Sequence, residues 1–406
     1  MNRKLPVSIQ DIEDENEEYI PYDTDKISID TKVMVLEACL RRIEQGTIIL
    51  APDFQRNEVW TPEKKSRLIE SILLKIPIPM FYVASDEKGI YSVVDGLQRL
   101  SAIRDFVLGK KYMAARDPAM KGDGLKLDKL EFWGHKYNGC TFNTLPMEMQ
   151  NRILETEFTF TIINPGTPEE VKRNIFKRLN TGGEPLTLQE IRNALYTGES
   201  TELLKRLAQK KEFLAATGNS VKPDRMLDRE LVLRFLAFII RDYTVYPKNS
   251  DMDRFLSDTM RIINLMPNFN NKAADKFFNE EWTEKDRLSK KDILIKNRDD
   301  LEPIFIRGMV RTKEIFGGHA FRRSYEGKRK APINKALFEL LSVSLAKQSN
   351  AEYAALLKNK ISFLSEYGRL LDEENFGNNI SKDSQKYNSV QERHKQFTAL
   401  LGKYSR

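Results

Sequence analysis

The chain has 406 residues, of which 40% are hydrophobic and 31% are charged. This content is sufficient for packed cores and excludes a largely disordered chain, and the length predicts two or three domains. The formal net charge is +7, but residues 1–25 hold two basic and eight acidic residues, so this arm carries −6 and the remaining chain +13. This excess of positive charge after residue 25 favours a polyanionic partner, most commonly nucleic acid. Alternatively, the charge serves only to keep the protein soluble.

The cysteine and leader patterns exclude several classes of protein. Cys39 and Cys140 are the two cysteines, which predicts neither a disulfide framework nor a zinc knuckle. The N-terminus lacks the apolar segment of a signal peptide. The strongest apolar run, residues 231–240, is interrupted by Arg234 and is too short to cross a bilayer. We therefore expect a cytoplasmic protein without a membrane partner.

The first half of the chain mixes helix and strand patterns. Thr61-Pro62-Glu63 is a strong helix start, because a capping residue, a proline and an acid follow one another. Two β-rich runs flank Ser85–Gly89 and predict a hairpin. The predicted elements are a helix from Thr31 to about Gln45, a β-type run at 47–50, a helix from Thr61 to before Pro77, strands at 80–84 and 90–94, and a helix from Leu97 to Gly109.

The second half is predicted to become entirely helical. Residues 111–145 are rich in loop residues, 157–163 alternate as a strand does, and 167–179 are amphipathic. Thr187 opens the next helix with a capping box to Glu190. Further helices are predicted at 227–243, 251–265, 299–316, 332–347, 350–371 and 382–402. The fold class is therefore α+β, with an acidic arm at 1–25, a mixed domain at 26–200 and an all-helical domain at 201–406.

The turn Asp95-Gly96-Leu97-Gln98-Arg99 follows a predicted strand and opens a predicted helix. Gly96 permits a tight backbone turn, and the start of a helix offers unpaired N–H groups that favour phosphate. Arg99 can engage phosphate oxygens, Gln98 can hydrogen-bond, and Asp95 can hold Mg²⁺ or orient a water molecule. An ordinary strand-to-helix turn with a surface arginine is the alternative.

This turn resembles the Asp-Gly-Gln-Gln-Arg signature of the N-terminal domain family of GmrSD-type restriction endonucleases. It departs at Leu97, where the family usually has glutamine. The likeness extends over roughly residues 30–345, through Gln55-Arg56 with Trp60, residues 68–79, residues 176–195 and residues 225–235. The family is placed with ParB and sulfiredoxin-like folds, so the resemblance implies such a fold for residues 26–200.

The resemblance also implies binding, and often hydrolysis, of a nucleoside triphosphate with Mg²⁺, in defence against phage or modified DNA. Asp95, Gln98 and Arg99 would be catalytic, with Asp95 at the metal. The nucleotide contacts would be Gln55, Arg56, Asp95, Gly96, Gln98, Arg99, Asn180 and Arg192. Plain structural roles remain open for three of them: Arg56 can stack on Trp60, Asn180 can end a helix, and Arg192 can be solvated.

Nuclease signals are missing from the sequence. The histidines His135, His319 and His394 are far apart and lack the spacing of a His-Asn-His module. We therefore do not expect intrinsic nuclease activity. A non-enzymatic DNA-binding or scaffold subunit that recruits a separate nuclease is the alternative to a nucleotide-hydrolysing regulator. Homo-oligomerisation remains open.

A basic cluster near the middle of the helical half is a candidate DNA contact. It consists of Arg322, Arg323, Lys328, Arg329 and Lys330, interleaved with Phe321 and Tyr325. Such a patch can neutralise phosphates and stack on exposed bases. A solvated loop between helices is the alternative.

Overall fold

The computed structural model describes residues 28–50, 60–109, 124–167, 171–173, 175, 187–248, 252–279, 288–381 and 383–406. The described chain divides into two compact units, one ending at Leu195 and the other beginning at Tyr196. The first contains a five-stranded sheet and helices, and the second is helical. The predicted mixed α+β class, with helices following the sheet, is confirmed.

The first unit alternates strands and helices. Its strands are β1 (Ile29–Val35), β2 (Ile48–Ile49), β3 (Phe81–Ser85), β4 (Tyr91–Asp95) and β5 (Glu157–Ile163). Its helices are α1 (Leu36–Glu44), α2 (Pro62–Leu73), α3 (Leu97–Val107), α4 (Gly134–Tyr137), α5 (Met147–Leu154) and α6 (Leu188–Leu195).

The sheet has the order β1-β5-β3-β4-β2. Strand β5 runs antiparallel to β1 and parallel to β3, while β4 runs antiparallel to β3 and parallel to β2. Phe158, Phe160 and Ile162 of β5 enter the hydrophobic core, and Thr159 and Thr161 between them are half-buried. This period-two pattern is why residues 157–163 could be predicted as a strand.

Several local predictions are confirmed in the first unit. The Thr61 side chain accepts a hydrogen bond from the Lys64 amide at 3.3 Å and so caps α2, which has Pro62 as its first residue. Strands β3 and β4 form the predicted antiparallel hairpin. Helix α3 begins at Leu97, as predicted.

The helix predicted from Thr31 is wrong in its first turn. Residues 29–35 form β1, and α1 begins at Leu36. Strand β1 pairs along its length with β5, from Ile29 opposite Ile163 to Val35 opposite Glu157. This distant pairing, together with the β-branched residues of the segment, outweighs the local capping signal of Thr31.

The second unit consists of helices and short connections. They are α7 (Glu199–Ala208), α8 (Lys211–Thr217), α9 (Leu227–Ile240), α10 (Met252–Leu265), α11 (Lys272–Phe278), α12 (Leu301–Phe316), α13 (Lys335–Lys347), α14 (Asn350–Lys358), α15 (Lys360–Asp372), α16 (Glu374–Asn379) and α17 (Tyr387–Tyr404). The single helix predicted at 350–371 is two helices that meet at Asn359. The Asn359 side chain donates to the Tyr404 carbonyl at 3.2 Å, which ties this break to α17.

A buried ionic cluster joins α9, α13 and α17. The Glu339 carboxylate accepts hydrogen bonds from Arg234 at 3.1 Å and from Arg393. Arg234 also donates to Glu230 at 3.2 Å. All three helices contribute a charge that water does not reach, so each charge depends on the others for compensation.

Replacing Glu339 with glutamine should therefore destabilise the protein strongly. The E339Q variant leaves Arg234 and Arg393 buried without their shared anion, which typically costs about 3–5 kcal/mol. Urea unfolding of the full chain, followed by far-UV circular dichroism, measures the loss. The matched control is E366Q, which removes the carboxylate of an exposed pair with Lys403 and should leave the unfolding midpoint nearly unchanged. Equal midpoints for the two variants would contradict the assignment.

Candidate functional site

The candidate site is the connection between β4 and α3. Strand β4 ends at Asp95, Gly96 adopts a left-handed conformation with φ of 92°, and α3 begins at Leu97. Gly96 is the N-cap and has no side chain, and the first turn of α3 contains no acidic residue. The positive end of this helix therefore has no carboxylate from its own first turn to balance it.

Phe81 on β3 fixes the shape of this turn. A Cβ atom added to Gly96 would lie 2.8 Å from Cε1 of Phe81 and closer still to Cδ1. The Phe81 ring in turn packs against Phe158 and Phe160, with ring centroids 5.0 and 5.3 Å apart. Glycine is thus required at position 96 both by its backbone conformation and by the aromatic core beneath it.

The Arg99 guanidinium is held by several groups of the protein. Its Nη2 atom donates to Oδ2 of Asp95 at 2.8 Å and to the Met80 carbonyl at 3.2 Å, and Nη1 donates to the Pro79 carbonyl. Its Cζ atom lies 4.6 Å from the centroid of the Phe81 ring. Arg99 therefore fastens the segment before β3 to the first turn of α3.

The exposure of this ion pair is uneven. The Arg99 side chain is 13% exposed and that of Asp95 is 35% exposed. Burial lowers the pKa of Arg99, and the neighbouring Asp95 carboxylate opposes that shift. A guanidinium is so strongly basic that Arg99 remains charged despite this shift. The carboxylate is thus the more accessible partner, and Gln98 beside it is half-buried.

Helix α6 presents a buried polar face. Thr187 and Glu190 form the predicted capping box, with the Thr187 amide 2.6 Å from the Glu190 carboxylate. Gln189, Arg192 and Asn193 are all buried. Arg192 donates to the Gln189 side-chain oxygen at 3.0 Å, and Gln189 donates to Asn193 at 3.0 Å. Helix α6 packs against β4, the strand that ends in Asp95.

The Asn193 side chain was not singled out in the sequence. Its Nδ2 atom is buried and has no hydrogen-bond partner among the described residues. A buried amide N–H group without an acceptor is unusual in a folded protein. The capping box at 187–190 and the helical period indicate a helix here. A single sequence does not show which polar residues of so short a helix face inward.

A buried cluster of charged side chains, which the sequence did not predict, joins α2 to α3. Asp105 accepts a hydrogen bond from Lys65 at 3.0 Å and is paired with Arg104 at 2.7 Å. All three residues are buried. The cluster fixes the orientation of α3, the helix that the Gly96 turn opens.

The predicted site residues fall into three groups. Asp95, Gly96, Gln98 and Arg99 are brought together in one turn. Arg192 lies buried on α6 rather than on a solvated face. Gln55, Arg56 and Asn180 lie outside the described residues.

The predicted DNA-contact cluster needs two corrections. Arg322 is buried, and its guanidinium donates to the Ala331 carbonyl at 2.5 Å and to the Ser220 hydroxyl at 2.7 Å, which fastens the loop to the end of α8. Phe321 is also buried and packs on Phe338, with centroids 4.5 Å apart. Neither side chain is available for phosphates or bases.

The rest of that cluster lies on the surface. Arg323, Arg329 and Lys330 are exposed. Lys328 is exposed as well but is paired with Asp372 at 3.1 Å, and the Tyr325 hydroxyl donates to the same carboxylate at 2.8 Å. The basic loop is therefore smaller than the sequence predicted.

The comparison with protein families bears on the segment that contains the Gly96 turn. Residues 36–197 match the family model described as GmrSD restriction endonuclease, N-terminal domain. The predicted resemblance is confirmed for this segment. The GmrSD match points to a restriction or anti-phage defence protein. It ends before Arg225, so the likeness expected at residues 225–235 is not part of it.

The other comparisons return nothing. No curated protein and no solved structure matches the chain. No helix within the described ranges is long and apolar enough to span a bilayer. In the same ranges, no three His, Cys, Asp or Glu side chains converge as a metal-binding group. Asp95 is therefore not part of such a group within these ranges.

Replacing Gly96 with alanine should destabilise the first unit. The left-handed backbone and the clash with Phe81 add together, and we expect a cost of about 1–3 kcal/mol. The matched control is G89A, because Gly89 also has a positive φ of 75° but has nothing within 4 Å of an added Cβ atom. Thermal unfolding of both variants isolates the Phe81 contribution. A G96A variant no less stable than G89A would contradict this view of the turn.

Proposed function

We propose that this protein binds a nucleoside triphosphate at the Gly96 turn and acts in a restriction or anti-phage defence system. The observation that carries the proposal is the left-handed Gly96 N-cap, which presents the start of α3 without a capping side chain. Such a helix start suits phosphate. The GmrSD match over residues 36–197 supports the defence context.

The residues of the turn have different tasks in this proposal. The first amides of α3 and the Gln98 side chain contact phosphate oxygens. Arg99 supplies positive charge, but its hydrogen bonds to Pro79 and Met80 hold it in place, so the phosphate shares the guanidinium rather than replacing these bonds. Gln55, Arg56, Asn180 and Arg192 complete the nucleotide site as the family resemblance implies.

Asp95 is the residue that would hold Mg²⁺. Magnesium is commonly bound by one or two carboxylates together with substrate phosphates and water, so a single acidic side chain at the turn fits it. The ion would neutralise phosphate charge. Arg99 would use the same edge of its guanidinium for the Asp95 carboxylate and for the phosphate. A bound phosphate would therefore weaken the pair between Arg99 and Asp95 and leave the carboxylate more available to the ion. Asp95, Gln98 and Arg99 are the residues we assign to hydrolysis, and the ParB-like architecture belongs to the same proposal.

Binding of a triphosphate panel to the full chain tests this function. We expect Arg99→Ala and Gln98→Ala to weaken binding by about tenfold or more, the usual effect of losing a hydrogen bond to a charged group. Asp95→Asn should reduce the Mg²⁺ dependence of phosphate release. Fluorescence anisotropy with labelled nucleotide and a phosphate-release assay provide the measurements.

The control for these variants is Arg67→Ala, which removes an exposed arginine on α2 of the same unit. It should bind nucleotide as the unmodified protein does. Arg99→Lys adds a second comparison, because lysine keeps the charge and loses the planar fork that reaches two carbonyls. Absence of binding by the unmodified chain to every triphosphate would refute the proposal.

We also propose that the exposed basic loop contacts DNA, and that a separate nuclease subunit performs cleavage. Arg323, Arg329 and Lys330 are the exposed cations that support the contact. Phosphate contacts of this kind release counterions and make binding depend on salt.

Removing Arg329 and Lys330 together should weaken DNA binding at all sequences alike. The slope of log Kd against log salt should fall by about 1 for each cation that no longer reaches a phosphate. The double variant Lys211→Ala, Lys358→Ala removes the same charge from exposed helical positions and serves as the control. Equal slopes for both double variants would remove the loop from the DNA contact and leave nucleotide binding untouched.

A further inference from the structure

Strand β1 forms one edge of the sheet, and in the described part of the chain it pairs with β5 alone. Met34 is buried, but the apolar side chains on the opposite face of the strand are exposed to an unusual degree: Ile29 by 41%, Val33 by 54% and Val35 by 37%. Edge strands that remain unpaired ordinarily carry prolines, bulges or charges that prevent pairing. The only charges within β1 are Asp30 and Lys32.

The outward direction of the β1 backbone follows from its end contacts. The Leu36 amide donates to the Thr156 carbonyl at 2.8 Å, and the Asn164 amide donates to the Ser28 carbonyl at 3.0 Å. Backbone groups alternate in direction along a strand, so the even-numbered residues bond to β5. The amides and carbonyls of the odd-numbered residues from 29 to 35 therefore point toward the free edge.

We propose that β1 pairs antiparallel with β1 of a second copy of this chain, about a two-fold axis at Thr31. The segment Ile29-Asp30-Thr31-Lys32-Val33 is self-complementary when reversed. Ile29 then faces the partner's Val33, and Asp30 faces the partner's Lys32. Each of these pairs occurs twice, because the contact is symmetric. The result joins the two sheets into one.

Charge selects this register over its neighbours. A two-fold axis at Lys32 also brings outward-facing residues together, but it places two lysines directly opposite each other, which is destabilising. The axis at Thr31 makes Asp30 and the partner's Lys32 a pair without backbone hydrogen bonds between them, the type in which side chains are closest. Asn164 holds one carboxylate oxygen of Asp30 at 2.8 Å, and the carboxylate has a second oxygen for the ammonium group.

The occupant that fits this edge is a second copy rather than an unrelated strand. Lys32 by itself would protect the edge, as charges on edge strands do. With Asp30 two residues away, a partner strand can still pair here if it places an acid opposite Lys32 and a base opposite Asp30. The chain's own β1 meets both conditions and adds apolar contacts on the opposite face.

Sedimentation velocity of the full chain over a range of concentrations tests the dimer. Asp30→Lys and Lys32→Asp should each raise the dimer dissociation constant about tenfold or more, because each creates two like-charge pairs. The double variant Asp30→Lys, Lys32→Asp should restore it, since the exchanged charges face each other again. Glu44→Lys, an exposed change of the same size on α1, should leave it unchanged.

Cysteine cross-linking tests the register. In a Cys140→Ser background, Thr31→Cys places two thiols at an antiparallel pair whose Cα atoms lie about 5.5 Å apart, within reach of a disulfide. Val33→Cys places them roughly 13 Å apart, so mild oxidation should cross-link the first variant and not the second. A monomer at every concentration, a dimer indifferent to the charge variants, or cross-linking of Val33→Cys in preference to Thr31→Cys would overturn the proposal.

Discussion

The contact between Phe81 and the Gly96 turn is the constraint on which the first unit depends. Phe81 reaches from β3 into the aromatic core formed with Phe158 and Phe160, and the same ring lies beneath Gly96 and beside the Arg99 guanidinium. One side chain thus links the packing of the sheet to the geometry of the turn. A shift in the core would move the start of α3, and a bulkier residue at the turn would disturb the core.

This arrangement gives Arg99 two tasks. Its bonds to the Pro79 and Met80 carbonyls are structural, while its pair with Asp95 joins it to a carboxylate that is 35% exposed. A residue that only contacted ligand would have its donors directed toward open space. The proposed phosphate site therefore uses a guanidinium already oriented by the protein, which reduces the conformational entropy cost of binding.

Features that depend on neighbouring residues could be predicted from the sequence. Features that depend on contacts with distant residues could not. The Thr61 cap, the hairpin and the strand–Gly96–helix turn each follow from a few adjacent positions, and all three are present. Thr31 has the features of a helix start, but its segment forms a strand because it pairs with β5. Arg322 and Phe321 look like surface residues within a basic run, yet contacts with Ser220 and Phe338 bury them. For Asn193, the capping box and the helical period indicate a helix, but they do not show that this amide faces inward.

The position of β5 in the sheet affects how the protein folds while it is being synthesised. Strand β1 finds its partner more than 120 residues further along the chain, and β3 also lies against that same late strand. On the ribosome, the early strands thus emerge long before the segment that joins them, and closing so long a loop is slow. The nascent chain must pass through a stage in which β1 and one edge of β3 have been synthesised but lack their β5 partner, the stage at which chaperone binding would be of most use.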